Sequence, residues 1–157
     1  MLSPKIYYVI LFLVSLYAFL QGRSNERVAA ATCILATFAT DAVYTPQGSY
    51  AGVETGVLLV DLAAFAAFLA LALRSDRFWP LWVAGLQLAT LGAHAVKAVE
   101  LDLMPQAYAA AARFWVNPIF LIIAVGTYRG ARRRIVLDEL ARPPLQFATA
   151  PPLPIRD

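Results

Sequence analysis

The segment VETGVLLVDLAAFAAFLALAL, residues 53–73, decides the fold class of this chain. Apart from Glu54 and Asp61 it carries no charged residue, and leucine, valine, alanine and phenylalanine make up most of it. A helix of this length extends about 30 Å, which matches the hydrocarbon core of a bilayer. The segment therefore predicts a transmembrane helix with one carboxylate, Asp61, placed inside it.

The rest of the chain has a similar composition. Of its 157 residues, 61% are hydrophobic and 15% are charged, and the mean hydropathy is +0.64. The charged residues gather in short clusters between apolar stretches, such as RSNER (23–27), RSDR (74–77) and RGARRR (129–134). This alternation is typical of a membrane protein whose loops separate successive spans.

Five stretches approach the length of a membrane span. They are residues 4–22, 27–45, 53–73, 79–98 and 107–128. The connections between them are short, so neighbouring helices should run antiparallel. We predict an all-α integral membrane protein, in which residues 1–130 form a compact bundle of about five transmembrane helices.

Residues 131–157 form a separate segment, with a basic juxtamembrane beginning and a Pro-rich cytoplasmic tail. RGARRRIVLDELAR is expected to extend the last helix, whereas the proline content beyond Arg142 favours disorder. Within the fifth span, Pro118 lacks a backbone N–H, so a kink or a new helix start is expected there.

The basic residues give the predicted bundle a direction. With an external amino terminus, the outer side keeps only Lys5, Lys97 and Arg113. The inner side then receives Arg23, Arg27, Arg74, Arg77, Arg129, Arg132, Arg133, Arg134, Arg142 and Arg156. The positive-inside rule therefore predicts a protein of the cell membrane with its carboxyl terminus in the cytoplasm, where anionic lipid headgroups are the expected partners of the arginines.

Polar residues within the predicted spans should meet in the outer half of the bundle. The candidate binding residues are Asp41, Glu54, Asp61, Gln87, Thr90, His94, Lys97, Arg113 and Asn117. Glu54 and Asp61 are seven residues apart and share a helical face, and residues 87, 90, 94 and 97 form a stripe on the next helix. We expect Asp61 to pair with Lys97 or His94, because an unpaired charge within a span costs about 2.5–3.5 kcal/mol.

Two main interpretations of this cluster remain open at the sequence level. It is either a dry, paired network that fixes helix register, or a water-accessible outer pocket that binds a proton, a small polar ligand or a quinone headgroup. A third possibility concerns Lys97 and Glu54, whose side chains can extend to the bilayer boundary.

Few catalytic classes fit the sequence. His94 is the only histidine and Cys33 the only cysteine, which excludes paired-histidine metal ligation, an internal disulfide and a thiolate cage. We predict neither a cofactor nor a metal site, no nucleic-acid binding, and a role that is more plausibly non-enzymatic. The favoured function is association with other membrane subunits or with itself, as an accessory, scaffold or sensor protein. The alternative is a transporter or quinone-linked subunit that uses the polar cluster as a pocket.

Overall fold

A computed structural model describes residues 4–43, 55–99 and 116–141 of the chain. These residues form five helices: α1 (Pro4–Gln21), α2 (Ser24–Val43), α3 (Thr55–Arg74), α4 (Trp79–Val99) and α5 (Val116–Ala141). Within these three ranges the structure contains no β-strand. The predicted all-helical bundle is therefore confirmed.

The five helices form a closed ring in chain order. Each of α1 to α4 packs against the helix that follows it, α5 packs back against α1, and α2 also contacts α5. Contacts near the helix ends show that α1 and α2 run antiparallel, whereas α1 and α5 run in the same direction. Tyr8, near the start of α1, bonds Asp41 near the end of α2, while Arg134 near the end of α5 bonds the carbonyl of Gln21.

Two short connections meet at one end of the bundle. Gly22 and Arg23 join α1 to α2, and the amide of Gly22 donates to the carbonyl of Ala18 at 2.8 Å. In the connection between α3 and α4, the hydroxyl of Ser75 accepts from the amide of Arg77 at 3.2 Å and from the side chain of Asn25 at 2.9 Å. These bonds tie the second connection to the start of α2.

The core combines alanines with larger apolar side chains. Its buried apolar residues are Ala18, Ala29, Ala30, Ala64, Phe68, Leu71, Val83, Ala84, Ile119 and Ile123. The five alanines let helix backbones approach closely, and larger side chains such as Phe68 and Ile123 pack beside them. This pattern is common where helices pack within a bilayer.

One described helix meets the length and hydropathy required of a membrane span. It is Thr55–Arg74, with a mean hydropathy of 2.4, and Lys5–Gln21 is a shorter apolar stretch. The polar side chains of α2 and α4, such as Glu26, Gln87 and His94, lower the average hydropathy of those helices. The coarser prediction of a helical bundle thus holds, and the arrangement of five membrane spans is taken up below as a proposal.

The last helix is continuous through the basic segment. Within the described residues α5 begins at Val116, which places Pro118 in its first turn, where a missing N–H costs little. The helix then continues through RGARRR to Ala141. The predicted disordered tail, and the first part of the predicted fifth span, lie outside the described residues.

Candidate functional site

Asp61 is the centre of a hydrogen-bonded group between α3 and α4. Its Oδ2 atom lies 2.9 Å from Nε2 of His94, and its Oδ1 atom accepts from Nε2 of Gln87 at 3.0 Å. The Gln87 amide also lies 3.3 Å from the backbone carbonyl of Asp61. When Asp61 is ionised, the carboxylate only accepts, so His94 carries its proton on Nε2 and donates it. We call Asp61, Gln87 and His94 the polar triad.

The polar triad is largely enclosed by the bundle. His94, Gln87 and Thr90 are all buried, whereas the Asp61 side chain keeps 18% of its surface exposed. Thr90 shares the inward face of α4, and its hydroxyl donates to the carbonyl of Leu86 one turn earlier. Both carboxylate oxygens of Asp61 therefore have protein partners, as expected of a paired network that joins two helices.

The other predicted cluster residues do not all join the triad. Asp41 is exposed at the end of α2 and accepts a 2.6 Å hydrogen bond from the hydroxyl of Tyr8. Asn117 lies half-buried in the first turn of α5. Lys97 follows His94 by about one turn in α4, but its side chain lies outside the described residues, as do Glu54 and Arg113 altogether. Of the two predicted partners of Asp61, the structure shows His94.

A hydrogen bond between Tyr7 of α1 and Thr37 of α2 was not predicted from the sequence. The hydroxyls of Tyr7 and Thr37 lie 2.8 Å apart, and the Tyr7 ring packs on Phe120 of α5 with 5.7 Å between ring centres. Thr37 also donates to the carbonyl of Cys33. Uncharged residues inside apolar helices carry no sequence signal of such pairing, which explains the omission.

The opposite end of the bundle contains a second buried carboxylate, Glu26. The residue is only 1% exposed. Its Oε2 accepts from the amide of Arg23 at 2.9 Å, and its Oε1 accepts from Nη1 of Arg77 at 3.1 Å. Glu26 thus joins the start of α2 to the connection between α3 and α4, and we call this contact the Glu26–Arg77 clamp.

The burial of Glu26 was not predicted, because the residue lies in the charged cluster RSNER, which is typical of a loop. The available signal was its position three residues after Arg23. A glutamate at the third helical position commonly accepts from the amide that precedes the helix, as half of a capping box. The capping position of Glu26 was not recognised, because the arginines on either side give the whole segment the composition of a solvated loop.

Two glycines of α5 allow the α3–α4 connection and the first residue of α4 to pack closely. A Cβ atom added to Gly126 would lie 3.2 Å from the indole ring of Trp79, and one added to Gly130 would lie 2.9 Å from Nη1 of Arg77. The two glycines are one helical turn apart and so share a face. They form a smooth surface on which the ring of Trp79 and the guanidinium of Arg77 lie.

The arginines of the described residues gather at this same end. They are Arg23, Arg27, Arg74, Arg77, Arg129, Arg132, Arg133 and Arg134. We call this region the arginine end, and Lys5, at the start of α1, lies at the opposite end. Two cavities of about 320 and 300 Å³ open at the arginine end and share Asp76 and Arg77 in their walls.

Comparison of the chain with known protein families, curated proteins and solved structures gave no match.

Proposed function

We propose that the chain is a multi-pass membrane protein whose helices all cross the bilayer. The observation that carries this proposal is the strongly apolar outer surface of the helices. Every helix exposes large apolar side chains, among them Phe12 (65% exposed), Leu35 (69%), Leu59 (60%), Trp82 (62%) and Leu121 (65%). In water such a surface would drive aggregation, whereas lipid tails solvate it.

The interior supports the same proposal. The buried polar residues are Ser15, Glu26, Thr37, Gln87, Thr90, His94 and Thr127. Several of them bond a neighbouring helix or a carbonyl of their own helix. Hydrocarbon offers no partner for a polar group, so membrane bundles turn such groups inward and pair them.

The position of the described arginines at one end of the bundle supports an orientation in the cell membrane. In this proposal the arginine end faces the cytoplasm, and the end that holds Lys5 and the polar triad faces outward. Arginines at the bilayer boundary would contact anionic headgroups there. Because α5 is 26 residues long, about 39 Å by its rise, it would extend past the boundary into the cytoplasm.

The proposed role is association with other membrane subunits or with a second copy of the chain. A paired and enclosed triad acts as an internal connection between α3 and α4, and so supports a structural function. The outward face of α3 is apolar and partly smooth, with Leu59, Leu62, Ala63, Ala66 and Leu73 all exposed. Small residues between larger ones on such a face suit packing against a partner helix.

A second candidate function is binding of a proton or a small ligand at the triad. The residual 18% exposure of the Asp61 side chain, next to an imidazole, is the observation that favours it. An accessible carboxylate paired with histidine is a common arrangement for proton exchange. The two candidates differ in whether water reaches the triad from the outer side.

Thiol accessibility in intact cells tests both candidates. In a Cys33→Ala background, Thr90→Cys places a thiol beside the triad without removing any of its three members. Asp76→Cys, at an exposed position of the arginine end, is the matched control and should react only when the cytoplasmic side is opened. Protection of position 90 in a folded protein supports the structural role.

Labelling of position 90 by a membrane-impermeant reagent from outside would instead favour the ligand-binding candidate. Labelling of position 76 from outside would contradict the proposed orientation. Recovery of the chain in the soluble fraction without detergent would contradict the membrane proposal itself.

A further inference from the structure

We infer that the arginine end contains a built site for the phosphate of an anionic glycerophospholipid. This inference rests on the proposed membrane location and goes beyond general attraction of a basic surface to the bilayer. One cavity, of about 300 Å³, is lined by Arg23, Arg77, Arg133 and Arg134. These arginines come from the α1–α2 connection, the α3–α4 connection and α5, so folding brings them together.

The charge of this cavity suits a phosphate. Four arginines and Asp76 line the cavity, and Arg77 is paired with Glu26, so two positive charges remain after both carboxylates are counted. A guanidinium binds phosphate oxygens through paired N–H donors, so arginine is well suited to this ligand. A phosphodiester headgroup would remove one of the two uncompensated charges.

Two of the four guanidinium groups are already held in place. Nη1 of Arg77 bonds Glu26 at 3.1 Å, and Nη2 of Arg134 donates to the carbonyl of Gln21 at 3.1 Å. Each of these bonds uses one of five N–H donors on its guanidinium. A ligand that meets pre-positioned arginines loses less free energy to side-chain ordering than one that binds mobile surface arginines.

The second cavity favours a lipid over a soluble phosphate compound. It measures about 320 Å³, shares Asp76 and Arg77 with the first cavity, and is lined on its other side by Leu73, Phe78 and Leu81. These three side chains are 79%, 73% and 52% exposed. A basic cavity that continues into an exposed apolar groove fits a molecule with a phosphate at one end and an acyl chain at the other.

The depth of the site agrees with this occupant. The apolar run of α3 ends at Leu73, and Arg74 is the first charged residue after Asp61 on that helix. If α3 crosses the bilayer, the junction of the two cavities lies where hydrocarbon gives way to headgroups. The phosphate of a lipid in the cytoplasmic leaflet would then be level with Arg77.

The test compares two paired substitutions on the same helix. Arg133→Gln with Arg134→Gln removes two cavity arginines, whereas Arg129→Gln with Arg132→Gln removes the same charge from residues outside the cavity wall. Full-length protein is purified in a neutral detergent, and binding of phosphatidylglycerol is measured by native mass spectrometry against phosphatidylcholine. We expect the cavity pair to weaken phosphatidylglycerol binding at least about tenfold, the equivalent of one lost charge-assisted contact, and the control pair to leave it nearly unchanged.

Equal weakening by both pairs would overturn the site in favour of diffuse attraction, and no weakening by either would overturn it outright. In a separate arm, inorganic phosphate is the probe. If it binds with the same dependence on Arg133 and Arg134 while phosphatidylglycerol does not, the site takes a soluble phosphate and the lipid assignment is wrong. Arg133→Gln alone, which leaves the Arg134–Gln21 bond intact, guards against misfolding of the double variant.

Failure of this inference is distinguishable from failure of the proposed function. A protein that remains in the membrane with its arginine end in the cytoplasm, yet binds phosphatidylglycerol equally in all variants, would refute only the lipid site. A protein that is soluble without detergent would refute the membrane proposal first.

Discussion

At the scale of single residues, Asp61 shows how a costly side chain is accommodated inside this bundle. Its two carboxylate oxygens meet Gln87 and His94, both from α4. Removing one partner of a buried hydrogen-bonded pair leaves the other unsatisfied, which costs more than replacing both with apolar side chains. The polar triad therefore specifies how α3 and α4 align along their axes, as buried polar groups do in other helix pairs.

The Asp61–His94 contact is testable by a double-mutant cycle. We expect Asp61→Leu and His94→Leu each to destabilise the protein, and the double variant to lose about 1–3 kcal/mol less than the sum of the two. Reversible unfolding in mixed micelles measures the free energies. Thr90→Val is the control, because its hydroxyl bonds only its own helix, and it should cost about 1 kcal/mol or less. Strictly additive losses would show that Asp61 and His94 do not interact.

At Gly22 the surrounding structure leaves no room for a side chain. A Cβ atom there would collide with the carbonyl oxygen of Ala18 and with the Cβ atom of Glu26, although the backbone of Gly22 is not in a left-handed conformation. We expect Gly22→Ala to destabilise the protein by about 1–3 kcal/mol, the usual cost of overpacking. Gly92→Ala is the matched control.

Around Gly92 an added Cβ would meet no atom within 4 Å. Its replacement by alanine should therefore leave the unfolding free energy unchanged or raise it by up to about 1 kcal/mol, through better helix propensity. If the two variants unfold alike, the close approach at Gly22 does not matter for stability.

At the scale of helices and their connections, the arginine end is held by a set of linked contacts. The Glu26–Arg77 clamp and the Asn25–Ser75 bond both join the start of α2 to the α3–α4 connection. Gly126 and Gly130 bring α5 against the same connection. These contacts hold three separate parts of the chain together: the start of α2, the α3–α4 connection and α5.

The clamp predicts a specific order of stabilities. Arg77→Met leaves the carboxylate of Glu26 buried beside only a backbone amide, so we expect a loss of about 3 kcal/mol. Adding Glu26→Gln to that variant should recover part of the loss, because the uncompensated charge is gone. Arg74→Gln, which removes the same charge from an exposed side chain, should cost about 0.5 kcal/mol or less.

Urea or detergent unfolding of these variants provides the comparison. A loss for Arg74→Gln as large as that for Arg77→Met would show that overall charge, and not the buried pair, controls the stability of this end.

At the scale of the whole molecule, polarity is arranged from inside to outside and from one end to the other. Large apolar side chains cover the outer surface, several polar side chains are buried beside the apolar core, and the eight arginines of the described residues lie at one end. The first gradient suits a lipid solvent, and the second suits one orientation in it. Together they support a single arrangement of the bundle in a cell membrane.

The proposed orientation predicts the behaviour of fused reporters. A reporter enzyme that works only in the cytoplasm should be active when it is fused after Asp157, because the arginine end resists translocation. An enzyme that requires export, fused at the same position, should be inactive and serves as the control. Activity of the exported reporter would invert the proposed topology and move the polar triad to the cytoplasmic side.

The sequence alone determined the helical class and the clustering of basic residues, because both depend on composition and on spacing along one helix. It also identified Asp61, Gln87 and His94 as members of inward stripes, since spacings of three, four and seven residues place side chains on one face. It did not choose between His94 and Lys97 as the partner of Asp61. Spacing gives a direction around a helix, whereas a contact depends on how far two helices slide along each other.

Only the tertiary structure decided the arrangement of the arginine end. Glu26 lies among arginines in the sequence, and its burial depends on a residue 51 positions away, Arg77. The cavity lined by Arg23, Arg77, Arg133 and Arg134 likewise exists only because three distant segments meet. Local composition describes how polar a segment is, but the packing of helices determines whether water, lipid or another side chain surrounds it.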